Sequence, residues 1–298
     1  MEASLGSAAL AVLFMLFLGL LLAALLVIAN RRLFVYEDPR IDDVEELLPH
    51  ANCGACGTAG CRAFAEQLVA GQVQPGLCSV NSKEMNLLIA NYLGVDLGSR
   101  EQRVARLACA GGNHVAHSHA RYSGLDTCRA AALVSGGGKG CVWGCLGLGD
   151  CATVCEFDAI SMDRHQLPVV DAARCTACGD CVDICPRNLF SLHPVSHRLW
   201  VACNNPETGA TAEAECMVLC TGCGRCAADA PEGLISIEQS LAVIDYSRNA
   251  LASRLAIERC PTGAIVWLDD GSTIHKGSQA VRIVRKEALP VGAQQTKV

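Results

Sequence analysis

Twenty of the 298 residues are cysteine, and their arrangement constrains the fold more than any other feature of the sequence. Most of them stand in short runs beside glycine. Such runs are typical of disulfide frameworks, zinc modules or iron–sulfur sites, and the redox compartment decides whether the thiols stay reduced. With aromatic residues at only 4% of the chain, we expect compact loops around inorganic groups rather than one large aromatic core.

The N-terminal segment indicates the compartment. From Ala8 to Ala29 there are 22 consecutive residues without a charged or strongly polar side chain. As a helix at about 1.5 Å per residue, this segment covers a hydrocarbon core of about 30 Å. Arg31 and Arg32 follow it, so the positive-inside rule predicts a single-pass anchor with the C-terminal part in the cytoplasm. A cleaved signal peptide, the alternative, requires a basic leading region and a shorter apolar core.

Cytoplasmic thiols are kept reduced, so a disulfide framework is not expected and zinc or iron–sulfur chemistry remains. The net charge of −6 and the pI of about 5.7 argue against a nucleic-acid partner. The ligand spacing within each cysteine run then distinguishes the two remaining chemistries.

The first run places three closely spaced cysteines beside glycines and adds one remote cysteine: Cys53, Cys56, Cys61 and Cys78. The residues between the third and fourth ligands, 62–70, predict a short helix. Three ligands in a glycine-rich loop with a fourth at a distance favour a [4Fe–4S] cluster. A structural zinc site stays open here, because four cysteines also suit zinc.

The most specific run is C-x2-C-x2-C-x3-C-P, the bacterial ferredoxin pattern, formed by Cys175, Cys178, Cys181 and Cys185. In two-cluster ferredoxins the fourth cysteine of each run ligates the cluster of the other run. A partner run with looser spacing lies upstream at Cys141, Cys145, Cys151 and Cys155. The crossed ligation predicts one cluster on Cys141, Cys145, Cys151 and Cys185. It predicts the other on Cys155, Cys175, Cys178 and Cys181.

A third region repeats this plan with half of its ligands missing. The sequence keeps Cys220, Cys223, Cys226 and, far downstream, Cys260, but the other ligand positions hold Ala230, Ala250, Ser253 and Ala256. The missing residues are the complete set for one cluster, and the retained residues are the complete set for the other. The sequence therefore predicts a two-cluster module that has lost one cluster, and four [4Fe–4S] clusters in the whole chain.

Four cysteines remain outside these runs: Cys109, Cys128, Cys203 and Cys216. Cysteines without partners in a cytoplasmic protein are more often small buried apolar residues than ligands. We expect this of all four, with Cys216 as a candidate substitute ligand because it stands four residues before Cys220.

The predicted fold class is α+β, with one transmembrane helix, a small 4Fe–4S cluster domain and two bacterial-ferredoxin-like modules. The expected order is an anchor (1–32), a cluster domain (33–98), a basic connecting segment (99–139), a two-cluster ferredoxin domain (140–197), a degenerate ferredoxin domain (198–268) and a loose polar tail (269–298). In the connecting segment, Arg100, Arg103 and Arg106 are candidates for docking an acidic partner such as a small ferredoxin. A solvated basic face is the simpler interpretation.

The stretches ANCGACGTAGC and GCLGLGDCATVCEFDAI, together with the anchor and the ferredoxin run, resemble the B subunits of the Rnf complex. Members of this family belong to a bacterial ion-translocating ferredoxin:NAD⁺ oxidoreductase. The resemblance implies an inner-membrane subunit that accepts electrons from soluble ferredoxin. It also implies that electrons pass on to other membrane subunits that carry flavin, with the energy coupled to Na⁺ or H⁺ movement. The chain departs from the longer family members at the four missing ligands of the last module.

Two other functions stay open at this point. The clusters would also suit a tethered electron donor to a different redox enzyme, such as a corrinoid protein. A membrane-tethered zinc scaffold is the second alternative, and it predicts tetrahedral sites with four thiolates. In the leading interpretation the chain itself performs no bond chemistry and acts as one subunit of an oxidoreductase.

Overall fold

The computed structural model describes residues 2–33, 37–269 and 273–292. Parts of three predicted domains lie outside the described residues: residue 1 of the anchor, 34–36 of the cluster domain, and 270–272 and 293–298 of the tail.

The first element is α1 (Glu2–Leu33), and within the described ranges it is the one helix long and apolar enough to cross a membrane. Its span Val12–Leu33 has a mean hydropathy of 3.1, and the side chains described there do not pack inside the protein. Arg31 and Arg32 lie in its last turn, as the sequence predicted for the flank of an anchor.

A small helical unit follows the anchor. It contains α2 (Arg40–Glu46), α3 (Cys61–Val69) and α4 (Lys83–Leu93), of which α3 is the helix predicted between the third and fourth cysteines. The three helices pack around an apolar core formed by Val44, Leu48, Phe64, Ala65, Leu68 and Ile89. This core holds the cysteine loop in front of α3 and the remote cysteine in front of α4.

The first ferredoxin module is built from two strand pairs with short helices between them. In chain order it contains β1 (Arg103–Leu107), α5 (Cys128–Leu133), α6 (Asp150–Thr153), β2 (Ile160–Met162), β3 (Pro168–Val170), α7 (Asp180–Ile184) and β4 (Phe190–Pro194). β1 pairs antiparallel with β4, and β2 pairs antiparallel with β3. The segment expected to be a connection, 99–139, therefore contributes a strand to this module, because the buried middle of β1 supplies the partner that β4 needs.

The second module repeats the first. Its elements are β5 (Leu199–Val201), α8 (Ala210–Glu215), α9 (Arg225–Asp229), β6 (Ile235–Glu238), β7 (Leu241–Ile244), α10 (Leu255–Glu258), β8 (Ile265–Asp269) and β9 (Thr273–Lys276). β5 pairs with β8 as β1 pairs with β4, and β6 pairs with β7 as β2 pairs with β3. The tail, expected to be loose, supplies β9, which pairs with the otherwise open edge of β8.

The repeat defines which residues correspond between the modules. After the first strand of each module, a backbone amide donates to the carbonyl of the residue that precedes its partner strand: Ala108 N to Leu189 O, before β4, at 2.8 Å, and Ala202 N to Ala264 O, before β8, at 2.7 Å. Cys109 and Cys203 follow these amides and so hold equivalent places. The α+β class predicted from sequence is confirmed. The two modules pack together where the Trp200 Nε1 donates to Leu107 O at 2.8 Å.

Candidate metal centres

The twenty cysteines surround five cavities, four to each cavity. We number the cavities in their spatial order. Site 1 is lined by Cys53, Cys56, Cys61 and Cys78, and site 2 by Cys155, Cys175, Cys178 and Cys181. Site 3 is lined by Cys128, Cys145, Cys151 and Cys185, and site 4 by Cys109, Cys141, Cys203 and Cys216. Site 5 is lined by Cys220, Cys223, Cys226 and Cys260. The volumes are similar, at about 320, 320, 370, 330 and 320 Å³ in that order.

The spacing of the thiols distinguishes a cluster from a single ion. Four thiolates on one zinc ion, each at about 2.3 Å, bring their sulfurs within about 4 Å of one another. Within the described ranges, no three His, Cys, Asp or Glu side chains are arranged to hold a single metal ion. The cysteines instead stand around cavities, as ligands of a four-iron cluster do. The geometry therefore fits [4Fe–4S] clusters and opposes the zinc scaffold.

Site 1 is formed by a tight loop in front of α3. Gly57 turns the loop with a φ of 90°, a conformation that L side chains rarely adopt. The Asn52 Oδ1 accepts the Cys61 backbone N–H at 2.8 Å, which fixes the start of α3 against the loop. The remote ligand is held from the other side, because the Asn86 Nδ2 donates to the Cys78 carbonyl at 3.1 Å. Burial raises the pKa of the Cys78 thiol.

Sites 2 and 3 share their supporting helices. α6 carries Cys151 of site 3 and leads to Cys155 of site 2. α7 carries Cys181 of site 2 and ends at Cys185 of site 3. This is the interleaving that the crossed ligation predicts. Burial raises the pKa of both Cys151 and Cys181 to about 12, so as free thiols these groups are neutral at pH 7 and bind metal only by giving up the proton.

Backbone amides point at several of these sulfurs. Ala159 N donates to the Cys155 Sγ at 3.3 Å, and Leu189 N donates to the Cys185 Sγ at 3.5 Å. The strand β1 adds a third donor, Ala105 N, to the Cys175 Sγ at 3.5 Å. Hydrogen bonds to ligand sulfur stabilise the anionic form and tune the reduction potential of a cluster.

Site 3 corrects one ligand of the sequence prediction. Cys141 was expected here, but it lines site 4, and Cys128 occupies the fourth position of site 3. The reason is visible in the spacing: Cys145, Cys151 and Cys155 fit the regular ferredoxin run, with Leu148 at the place of its second cysteine. The run therefore begins at Cys145, and counting it from Cys141 gave the irregular spacing.

The missing second cysteine is replaced from α5. The Asp150 carboxylate accepts the backbone N–H groups of Cys128 at 2.8 Å and Arg129 at 3.2 Å, which ties the start of α5 to the start of α6. Burial raises the pKa of the Cys128 thiol, while the nearby amides of Asp150, Leu148 and Gly149 act in the opposite direction. The Cys128 thiol therefore lies close to the backbone of Leu148, the residue that stands where the regular run has its second cysteine.

Site 5 brings together the four cysteines that the sequence predicts for the last module. Cys226 lies in α9 and is buried, whereas Cys223 is exposed. Where the lost cluster is expected, the module is filled with apolar side chains. Ala256 and Ile257 of α10 are buried together with Leu199 in one apolar cluster.

Site 4 gathers three of the four cysteines that were expected to be isolated apolar residues, together with Cys141. Burial raises the pKa of Cys203 to about 11 and that of Cys216 to about 12. Sequence reasoning missed this site because its ligands come from four separate segments with no run between them. A signal was nevertheless present, since twenty cysteines divide into five sets of four and the predicted sites used only sixteen.

The predicted docking arginines do not share one surface. Arg106 is only 5% exposed and lies inside β1, so its assignment as a partner-binding residue is wrong. Arg103 is half-buried and donates to the Leu192 carbonyl at 2.8 Å. Arg100 is exposed, and its Nη1 donates to the Ala55 carbonyl in the loop of site 1 at 3.1 Å. Arg100 alone remains a candidate for contact with a partner at this face.

The fold and its sites define a class: an iron–sulfur protein of several ferredoxin-type units behind an apolar N-terminal helix. Family models agree with this class. An Fe–S cluster family model matches residues 48–80, and 4Fe–4S dicluster domain models match residues 140–189 and 174–235. The matches cover sites 1 and 2, the ligands of site 3 other than Cys128, and the cysteine run of site 5.

Similar curated proteins identify the family. The chain is 37% identical over 83% of its length to the B subunit of the Na⁺-translocating ferredoxin:NAD⁺ oxidoreductase complex of Acetobacterium woodii, of which it covers 74%. It is 37% identical over 83% of its length to the B subunit of the ion-translocating oxidoreductase complex of Methanosarcina acetivorans, covering 94% of that protein. It is 36% identical over 88% of its length to the B subunit of the proton-translocating ferredoxin:NAD⁺ oxidoreductase complex of Clostridium ljungdahlii, covering 93% of that protein.

The chain belongs to the family of B subunits of ion-translocating oxidoreductase complexes, the Rnf family. It is an iron–sulfur electron-transfer subunit, and its activity is that of an oxidoreductase complex rather than of an isolated enzyme. Its apolar N-terminal helix and its family associate it with a membrane.

Proposed function

We propose that this subunit accepts electrons from reduced ferredoxin and relays them to other subunits of an ion-translocating ferredoxin:NAD⁺ oxidoreductase. The names of two relatives, from A. woodii and C. ljungdahlii, include ferredoxin and NAD⁺ as the reactants of their complexes. Transfer to a different redox enzyme fits the cluster sites equally well but finds no support in the relatives.

The observation that carries the proposal is direct contact between successive sites. The Ser79 Oγ, next to Cys78 of site 1, donates to the carbonyl of Thr176, next to Cys175 of site 2, at 2.8 Å. Sites 2 and 3 then share α6 and α7. An electron that enters at site 1 therefore meets packed protein rather than solvent on its way to site 3.

We propose [4Fe–4S] clusters at sites 1, 2, 3 and 5, with Cys128 in place of Cys141 at site 3. When bound, each cluster takes up and gives back one electron. The protein supplies the thiolates, encloses them and directs backbone N–H groups at the sulfurs, which tunes the reduction potential of each site. These four sites lie in the N-terminal cluster domain and in both ferredoxin modules.

Ion movement must depend on partner subunits. The single apolar helix has no ionisable residue between Ala8 and Ala29, so it offers no path for a cation. We therefore propose contacts with further membrane subunits, including flavin-bearing ones. The relatives' names give Na⁺ for one complex and protons for another, so family membership leaves the coupling ion of this chain open.

The membrane orientation is part of the proposal. Arg31 and Arg32 at the end of α1 favour a single pass across a bacterial inner membrane, with the cluster domains in the cytoplasm. A C-terminal alkaline phosphatase fusion should be inactive and a C-terminal fluorescent protein should fluoresce. An active phosphatase would reverse the orientation.

Electron transfer into site 1 is tested by the rate at which reduced ferredoxin bleaches the cluster absorption of the purified subunit. We expect Arg100→Glu to raise the apparent KM for ferredoxin about threefold to tenfold with little change in the limiting rate, because it reverses one exposed charge beside site 1. Arg121→Glu, at another exposed arginine of the same segment, is the matched control. Failure of reduced ferredoxin to bleach the intact protein would contradict the proposed function.

A further inference from the structure

We propose that site 4 holds a fifth [4Fe–4S] cluster, which joins the two ferredoxin modules and connects site 3 to site 5. Its ligands are Cys109, Cys141, Cys203 and Cys216. The family models describe the cluster runs on either side of this site, and none of them assigns these four residues together.

The chain brings two of the ligands together through the ends of the first strands of the modules. Cys109 follows β1 and Cys203 follows β5. The backbone amide of Ala110 donates to the carbonyl of Ala202 at 3.0 Å, which fixes the two chain segments side by side. The Sγ atoms of both cysteines face the same cavity.

The other two ligands are held by one central segment, residues 110–119. Ala116 forms an antiparallel bridge with Cys216, and Ser118 forms one with Lys139, two residues before Cys141. Gly140 N also donates to the His117 carbonyl at 3.0 Å. The same segment therefore holds both Cys141 and Cys216 at the cavity.

The four ligands of site 4 correspond in pairs between the two modules, because the second module repeats the first. Cys141 precedes Cys145 of site 3 by four residues, and Cys216 precedes Cys220 of site 5 by four residues. The backbone amide of Cys145 donates to the Cys109 Sγ at 3.4 Å, and the amide of Cys220 donates to the Cys203 Sγ at 3.3 Å. Each module thus contributes one cysteine after its first strand and one before its cluster run.

The sulfurs of site 4 have the polar surroundings that thiolate ligands need. Gly111 N donates to the Cys109 Sγ at 3.4 Å. The Asn205 Nδ2, on a side chain only 2% exposed, donates to the Cys141 Sγ at 3.7 Å. A Cβ at Gly111 would stand 3.3 Å from the Cys216 Sγ and 3.5 Å from the Cys109 Sγ, so the backbone passes directly against both sulfurs. Four cysteines that served only as apolar core would not require amide donors at their sulfurs.

A cation stands at the edge of the cavity. Lys139 lines site 4, and its Nζ donates to the carbonyls of Gly111 and Cys145. Four thiolates around a cluster carry net negative charge, and a fixed ammonium group beside them lowers the cost of keeping that charge partly buried.

The size of the cavity argues for the same cluster type as its neighbours. Site 4 has a volume of about 330 Å³, compared with about 320 Å³ for site 2, which carries the ferredoxin run. Its four thiols also do not converge on one point as ligands of a single ion do. Both observations favour a four-iron cluster over zinc.

The position of site 4 closes the gap between the modules. Cys145 lines site 3 and touches a sulfur of site 4, and Cys220 lines site 5 and touches another. One electron that reduces the cluster in site 4 comes from oxidation of one neighbouring cluster, and its departure reduces the other neighbour, with no bond formed or broken. This linking role rests on the proposed relay, whereas occupancy of the site does not.

The test uses the full-length protein, purified without oxygen, with iron and acid-labile sulfide counted per chain. Cys203→Ala with Cys216→Ala should remove about four iron atoms and leave the other sites loaded. Val218→Ala is the control, since it removes buried volume from the same apolar cluster as Cys216 but no sulfur. It should keep the full iron content.

An unchanged iron content in the double cysteine variant, or loss of two irons rather than four, would overturn the proposal. Equal loss of iron from the Val218→Ala variant would assign the effect to packing and would also overturn it. The linking role is read separately, by reducing the double variant with ferredoxin and recording the electron paramagnetic resonance signal of site 5. Sites 1 to 3 should be reduced while site 5 lags. If reduced ferredoxin reduces none of the sites while the iron content is as expected, the proposed function is contradicted but the fifth cluster is not.

Discussion

The two ferredoxin modules share one plan but differ in what they hold. The first surrounds sites 2 and 3, whereas the second surrounds only site 5. In the repeat α9 corresponds to α6 and α10 to α7, so site 5 is the counterpart of site 3. The counterpart of site 2 is the one that is missing.

Which sites the two modules retain depends on where each site lies relative to the other sites. Site 2 lies between site 1 and site 3, and its loss would interrupt the path from the N-terminal unit. Its counterpart in the second module would lie beyond site 5, away from site 4. The sites that remain are therefore those that form one continuous row, and the second module ends that row at the exposed Cys223.

The modules also differ in how they supply the second cysteine of the run. Site 5 has Cys223 in the run itself, whereas site 3 has Leu148 at that place and takes Cys128 from α5. The first module thus depends on a ligand from outside its cluster run, and this dependence can be tested directly.

We expect the largest effect from Cys128→Ala, which should remove about four iron atoms per chain because site 3 loses one of its four ligands. Adding Leu148→Cys to this variant restores the regular run and should return the lost iron. The measurement is iron and sulfide content of anaerobically purified protein. A normal iron content in Cys128→Ala would show that site 3 is built as the sequence first suggested, with Cys141.

A smaller effect is expected from Asp150→Ala. This change removes the acceptor for the first two amides of α5 and should lower the stability of site 3 by about 1–2 kcal/mol. Chelator-driven iron release should then become faster for one cluster of the first module, while site 5 keeps its rate. Asp183→Ala, at an exposed acid of α7 in the same module, serves as the control. Equal rates of iron release from the two variants would show that Asp150 does not stabilise site 3.

The smallest effect is expected from returning the four lost cysteines to the second module. We predict that Ala230→Cys, Ala250→Cys, Ser253→Cys and Ala256→Cys together add no iron. The loop has changed as well as the ligands: Gly179 turns the first module's loop with a φ of 105°, whereas the corresponding Arg254 has a φ of −64°. A gain of about four irons would show that the ligands alone decide whether this site forms.

The sequence predicted the parts of the molecule that local spacing determines. The helix after Cys61 follows from the residues between two ligands, and the ligand groups of sites 1, 2 and 5 follow from short cysteine runs and the crossed ligation of two-cluster ferredoxins. The structure places the cysteines of each of these groups around one cavity. β1 and β9, in contrast, lie in segments that were expected to be a connection and a loose tail.

The remaining parts depend on contacts between distant segments. Cys109 and Cys203 meet because the segments that follow β1 and β5 lie side by side, joined where Ala110 N donates to Ala202 O, and no local pattern records that contact. The role of Arg106 was missed for a related reason, since a basic residue in a polar-looking segment gave no sign of the strand that buries it. In both cases pairing with a distant strand determined the environment.

The central claim is that all twenty cysteines hold five clusters in one row. It is tested most directly by the iron and acid-labile sulfide content of the unaltered, anaerobically purified chain, with zinc measured in parallel. Five clusters require about 20 iron and about 20 sulfide per chain, without stoichiometric zinc. A reproducible content of about 16 iron in fully loaded protein, or zinc in place of iron, would contradict the account.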